Sequence, residues 1–82
     1  SCFISTDLCI DYTGSVYTGP EIEDSCVLQY SKDRCPSTDR IGRCRQNGGT
    51  PVESIFNYYS PGWEVDMAKS ECEFGTGEWL GS

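Results

Sequence analysis

The sequence predicts an α+β fold: a small disulfide-rich domain with two short helices packed on a small antiparallel sheet, spanning residues 1–82 as one unit. Three observations predict it. Six cysteines in 82 residues, Cys2, Cys9, Cys26, Cys35, Cys44 and Cys72, approach the density of disulfide scaffolds. Aliphatic mass is scarce, with twelve Val, Ile and Leu, one Met and one Ala, so a core at this length needs covalent staples. Short alternating runs closed by turn residues stand beside two stretches with helix-start signals.

Cys9-Ile10-Asp11-Tyr12 reads as a short strand ended by Thr13-Gly14. Thr18-Gly19-Pro20-Glu21 then marks a helix start: proline suits the first turn, where its missing N–H has no partner to lose, and Thr18 and Glu21 have capping-box spacing. Ile22, Cys26 and Tyr30 fall on one face at i, i+4 and i+8, which predicts a helix over about 20–30. Residues 31–40 are polar and hold Cys35-Pro36, a loop. Arg40 to Arg45 alternates polar with small or apolar residues. Gln46-Asn47-Gly48-Gly49 is a turn, and Val52 to Tyr59 returns as the second strand of a hairpin over 40–59 at the sheet's centre. Ser60 caps a second helix near 62–74, with Pro61 at its first position and Val65, Ala68 and Cys72 on one face. Gly75 and Gly77 end it, glycine accepting left-handed geometry, and Trp79-Leu80 reads as a last short strand.

The cysteines are even in number and none is in a C-x-x-C pair, so zinc-knuckle spacing is missing and three disulfides are expected. Such bridges persist in oxidising places, so the chain is expected to work outside the cytosol. Fifteen pairings remain open on sequence alone. Proximity favours Cys26 with Cys35, and the strand positions of Cys9 and Cys44 favour their joining, which leaves Cys2 for Cys72.

The two helical stretches echo one another. Tyr12, Tyr17, Ile22 and Cys26 align without gaps on Tyr58, Trp63, Ala68 and Cys72, an internal pseudo-repeat.

The order Cys9-Ile10-Asp11-Tyr12-Thr13-Gly14, Cys26, Cys35-Pro36, Ile41-Gly42-Arg43-Cys44, Tyr58-Tyr59-Ser60-Pro61, Ala68 to Cys72 and Gly77-Glu78-Trp79 resembles small cysteine-rich modules of bacterial secreted proteins and lipoproteins. The resemblance covers about residues 9–79 and implies a bacterial, extracellular or cell-surface module; the family has no activity to carry over. Two departures stand out. Cys2 is an additional N-terminal cysteine, and Ser1 precedes it, whereas the lipid-bearing cysteine of a bacterial lipoprotein is its first mature residue. The usual Gly-Gly-Thr-aromatic ending is here Gly75-Thr76-Gly77-Glu78-Trp79.

Composition removes several function classes. The chain has no histidine, so Ser-His-Asp and Cys-His centres and histidine metal sites are excluded. A net charge of −7 argues against general nucleic-acid binding. No apolar run is long enough to cross a membrane. Asp7/Asp11 and Glu64/Asp66 lack a calcium-loop pattern and read as solvated surface. No metal or other cofactor and no catalytic residue is expected, since a domain this small has little room for a substrate cleft. The aromatics Tyr12, Tyr17, Tyr58, Tyr59, Trp63 and Trp79 read as core in place of missing aliphatics rather than as a carbohydrate or protein contact platform.

Charge is the distinctive feature. Residues 32–45 hold Lys32, Arg34, Arg40, Arg43 and Arg45 against Asp33 and Asp39, a +3 segment between flanks of −5 each. Arg43 and Arg45 alternate on a strand and point to one side. This face, with Arg40, is expected to grip an acidic helix start on a neighbour, Glu21, Glu23 and Asp24, by bidentate pairing, or else an anionic glycan. The competing reading is that these cations balance carboxylates within the chain. The expected function is a non-enzymatic secreted or cell-surface module acting by protein–protein contact, self-assembling into a filament or surface layer. The alternative is a small diffusible ligand such as a pheromone, toxin or protease inhibitor.

Overall fold

The computed structural model describes residues 1–17, 23, 26 and 28–81. Its strands are β1 (Cys2–Ser5), β2 (Leu8–Tyr12), β3 (Gln29–Tyr30), β4 (Arg40–Gln46), β5 (Ser54–Tyr59) and β6 (Glu78–Gly81), and the helix whose bounds lie among the described residues is α1 (Val65–Phe74). They form one antiparallel sheet in the order β3-β1-β2-β5-β4-β6. From either edge inward the order is the same: a short third strand, a first, then a second, with β2 and β5 meeting at the middle.

The hairpin forms over the expected residues but sits to one side of the sheet's centre, where β2 rather than β4 meets β5. Asn47 and Gly49 adopt positive φ, 55° and 77°, residue types that tolerate left-handed backbone, and this lets β4 fold back on β5. Cross-strand register then sorts the side chains, because directly opposed residues share a face. Leu8, Ile10, Phe56, Tyr58, Gly42 and Cys44 look one way; Cys9, Asp11, Ile55, Asn57, Arg43 and Arg45 look the other.

Each face carries a small core with its own disulfide. On the first, Cys44, Tyr58, Ala68 and Cys72 are buried together, with Leu8, Phe56, Trp63 and Trp79 around them. The Tyr58 and Trp63 rings meet edge-on with centroids 4.8 Å apart. The Cys44–Cys72 bridge ties α1 to β4. On the second face, Cys9, Cys35 and Tyr59 cluster with Phe3, and the Cys9–Cys35 bridge ties down the segment before β4. Aromatics and cystines thus supply the cores, as the shortage of aliphatics requires. Two close approaches fix glycines: a Cβ on Gly42 would run into the Trp79 ring, and one on Gly77 into Cys44 Sγ and the Gln46 amide.

Several expectations are corrected. The bridges are Cys2–Cys26, Cys9–Cys35 and Cys44–Cys72, and none of the three favoured pairs forms. Strand order decides this: β3 pairs with β1, setting Tyr30 opposite Cys2 and drawing the chain just before it to the sheet edge. Cys2 is therefore a disulfide cysteine with no free thiol for a lipid. The helix expected over 20–30 falls largely outside the described residues, as does its Thr18/Glu21 cap; Glu23 within it is helical, while its last two residues, Gln29–Tyr30, are strand.

The later helix is shorter than expected. It begins after Glu64, because Tyr59 and Ser60 donate backbone hydrogen bonds to Asp7 and Asp39 and Trp63 turns back onto the Tyr59 carbonyl. Ser60 is therefore held in the turn and caps nothing. At its end the left-handed residue is Thr76 (φ 59°), while Gly75 has φ −84°. Strand β1, absent from the sequence reading, is present at the N-terminus. Of the pseudo-repeat, the ring pairs Tyr12–Tyr17 and Tyr58–Trp63 both have 4.8 Å centroid separations, but Ile22 lies outside the described residues and the repeat is not established by these contacts.

Candidate functional site

The +3 segment folds into one feature. Lys32 and Arg34 come from the segment before β4, Arg40 and Arg43 from β4 itself, and all four line a polar pocket of about 240 Å³ with Asp11 and Asp33. Four cations against two carboxylates leave the pocket net positive by two.

The segment carrying Lys32 and Arg34 is pinned at several points. The Ser31 N–H donates to the Ser1 carbonyl at 2.9 Å and the Asp33 N–H to Ser31 Oγ at 3.1 Å. The Cys35 N–H donates to Asp11 Oδ1 at 2.9 Å, next to the Cys9–Cys35 bridge. The Tyr59 hydroxyl donates to the Pro36 carbonyl at 2.8 Å. Burial pushes the Tyr59 hydroxyl up to about 12; Asp11 adds to the rise and Arg40 opposes it.

Beneath the pocket lies Asn57, fully buried on β5. Its Nδ2 donates at 3.2 Å to the Cys9 carbonyl, the Ile55 carbonyl and Asp11 Oδ2, and its Oδ1 accepts from Arg40 Nη1 at 3.3 Å. Asp11 therefore spends its oxygens on the fold, receiving Cys35 and Asn57, rather than on the surrounding cations. Arg43 Nε is buried and has no hydrogen-bond partner among the described residues. A buried donor left this way costs free energy.

The expected partner-binding residues separate. Arg40 and Arg43 share the pocket. Arg45 points to the same side as Arg43 but ion-pairs with Glu78 on β6, its neighbour across the ladder, through both Nε and Nη2. That hydrogen bond and the carboxylate's charge raise the Arg45 pKa. Glu53, near Arg45, is held below its ordinary value first by the Thr13 hydroxyl and then by the Gly49 N–H. For Arg45 the balancing of charge within the chain is what the structure shows. Glu23 is exposed, while Glu21 and Asp24 lie outside the described residues.

Sequence reasoning missed Lys32 and Arg34 as partners of Arg43, and Asn57 altogether. The first two were visible as charges but not as neighbours, since their approach depends on Cys9–Cys35. Tyr58 and Tyr59 are buried and Trp63 and Trp79 pack against the core, in agreement with the core reading of the aromatics. Among the described residues no group of three potential ligands is placed to hold a metal ion, and no helix is long and apolar enough to cross a membrane. Comparison of the chain with protein-family models, curated proteins and solved structures returns no match.

Proposed function

We propose that the protein is a non-enzymatic extracellular or cell-surface module that acts by protein–protein contact, and that its basic pocket grips carboxylates of an acidic partner. The observation that carries this is the convergence of Lys32, Arg34, Arg40 and Arg43 on one pocket with a buried Arg43 donor left over. Arginine forks match carboxylates bidentately, and a pocket pre-shaped by a disulfide and backbone hydrogen bonds loses little freedom on binding. The three disulfides favour an oxidising compartment. Self-assembly, into a filament or surface layer, is the form of contact that needs no second protein.

An oligoglutamate peptide tests the reading. It is expected to bind, to weaken steeply with salt because exposed charges are screened beyond ~8 Å at physiological ionic strength, and to lose binding to Arg34→Gln with Arg43→Gln. Absence of binding at low salt would overturn the reading. Preference for a sulfated oligosaccharide over the peptide would replace the protein partner with a glycan.

We infer that the chain is an internal duplication. The strand order reads alike from both edges, and in each half a cystine returns to the half's first strand, Cys26 to Cys2 and Cys72 to Cys44. An experimental structure in which 1–30 superposes on 40–81, with β2 on β5, is expected; a superposition that sets β2 on β4 would refute it.

A further inference from the structure

The outer face of α1 departs from what a surface helix needs. Only Ala68 and Cys72 are buried, and the other eight of its ten residues are exposed. Met67, Ser70, Glu71 and Phe74 fall on one stripe, at the i, i+3, i+4, i+7 spacing that puts side chains side by side, and line an open groove with Asp66 and with Trp63 from the preceding turn. Phe74 is 91% exposed and Met67 56%, so two large apolar groups stand in water where a polar face would serve. Around them are Glu64, Asp66, Glu71 and Glu73 against Lys69 alone, all exposed.

We infer that this acidic, aromatic helix face is the surface that docks into the basic pocket of a second copy of the chain. The inference rests on the carboxylate-gripping reading of the pocket and names its partner. Charge complementarity selects the occupant: the helix region is net negative by three, the pocket net positive by two. Chemistry agrees, since the Phe74 ring offers a π-face to arginine while Asp66 and Glu71 in the same groove offer carboxylates to the guanidinium forks. A neutral apolar partner would leave these carboxylates unpaired, and a basic peptide would leave the pocket unused. The two surfaces lie on opposite faces of the sheet, because α1 packs over Cys44 and Tyr58 while Asp11 and Arg43 look the other way. The contact is therefore heterologous, head to tail, and it propagates rather than closing as a two-fold dimer.

The test uses two blocked variants of the full chain followed by sedimentation velocity. Phe74→Ser with Glu71→Gln and Glu73→Gln blocks the helix face; Arg34→Gln with Arg43→Gln blocks the pocket. Arg34, Glu71, Glu73 and Phe74 are exposed and Arg43 is half-buried, and disulfide mapping checks that each variant keeps its three bridges. The wild type is expected to associate with rising concentration and falling salt. Each variant alone is expected to weaken association by about tenfold or more, as loss of an anchor residue does. An equimolar mixture is expected to form 1:1 dimers and nothing larger, since each variant retains one intact surface.

A wild type that stays monomeric at all concentrations overturns the inference, while oligoglutamate binding still decides the pocket reading. Loss of association in the pocket variant alone, with the helix variant as sticky as wild type, also overturns the inference and leaves the pocket reading standing. A mixture that remains monomeric overturns the head-to-tail geometry.

Discussion

Asn57 Nδ2 and Asp11 Oδ2 lie 3.2 Å apart across the β2–β5 pair, and this bond connects the interior of the sheet to the basic pocket. Asn57 is completely buried and makes four hydrogen bonds, one of them accepted from Arg40. A buried amide so fully satisfied rigidifies its surroundings, and here it sets the floor on which Asp11 and Arg40 are held.

Replacing Asn57 with Ala removes that hub. Two backbone carbonyls and one Asp11 oxygen lose a donor, and a void opens beside Cys9. A loss of about 2–3 kcal/mol is expected from unsatisfied groups and cavity together. Urea denaturation measures it; a change below about 0.5 kcal/mol would show that Asn57 is dispensable.

The Cys44–Cys72 bridge is expected to hold α1 in place. The helix buries only Ala68 and Cys72, so little else fixes it. With a sequence separation of 28, loop closure in the unfolded chain accounts for about 3.5 kcal/mol. Cys44→Ser with Cys72→Ser should lower stability by about that amount and reduce helical circular dichroism, while peptide mapping still finds Cys2–Cys26 and Cys9–Cys35. Unchanged helix content would mean that the Tyr58, Trp63 and Trp79 contacts suffice.

These particulars also explain what was legible beforehand. The hairpin was legible because Asn47-Gly48-Gly49 has few alternatives to a turn and Arg43, Cys44 and Arg45 alternate plainly. Helix α1 showed through the four-residue spacing of Ala68 and Cys72. Connectivity was not legible, since which cysteines meet depends on β3 pairing with β1, and a two-residue strand has no periodicity to read. The alternation of Arg43 and Arg45 does put both on one side of the sheet. Only the arrival of β6 with Glu78 separates the arginine that is neutralised within the chain from the one that faces the pocket.

Tyr59 couples the pinned segment to alkaline pH. Its hydroxyl is raised from the ordinary 10 to about 12, first by burial. For a group raised in the folded state, the associated stability is intact below the unfolded pKa and is lost as pH rises toward the folded one. Unfolding free energy should therefore fall between about pH 10 and 12. Fast pH jumps would measure this before base attacks the cystines. Tyr12 and Tyr58 are raised as well, in both cases mainly by burial, so the fall should persist in part in Tyr59→Phe. That variant also loses the bond to Pro36, worth about 1 kcal/mol. A tyrosinate titration with every group near 10 would contradict the assignment.

Arg43 and Arg45 provide the sharpest comparison, because they sit two residues apart on one strand with opposite assignments. Arg45 is already engaged by Glu78, so Arg45→Gln removes an exposed ion pair and should leave both the fold and oligoglutamate binding nearly unchanged. Arg43 lines the pocket with Nε buried and unpaired, so Arg43→Gln should weaken peptide binding by about tenfold or more, the usual effect of losing a charge-assisted bidentate contact. Arg43→Met, which sets a methyl group where Nε stood, removes the buried unsatisfied donor, so stability of that free variant should hold or rise slightly. Binding loss with retained stability is the signature of a residue kept for contact rather than for folding. Equal effects of the two substitutions on binding would mean that the whole strand face acts as diffuse positive charge, without a pocket that selects its partner.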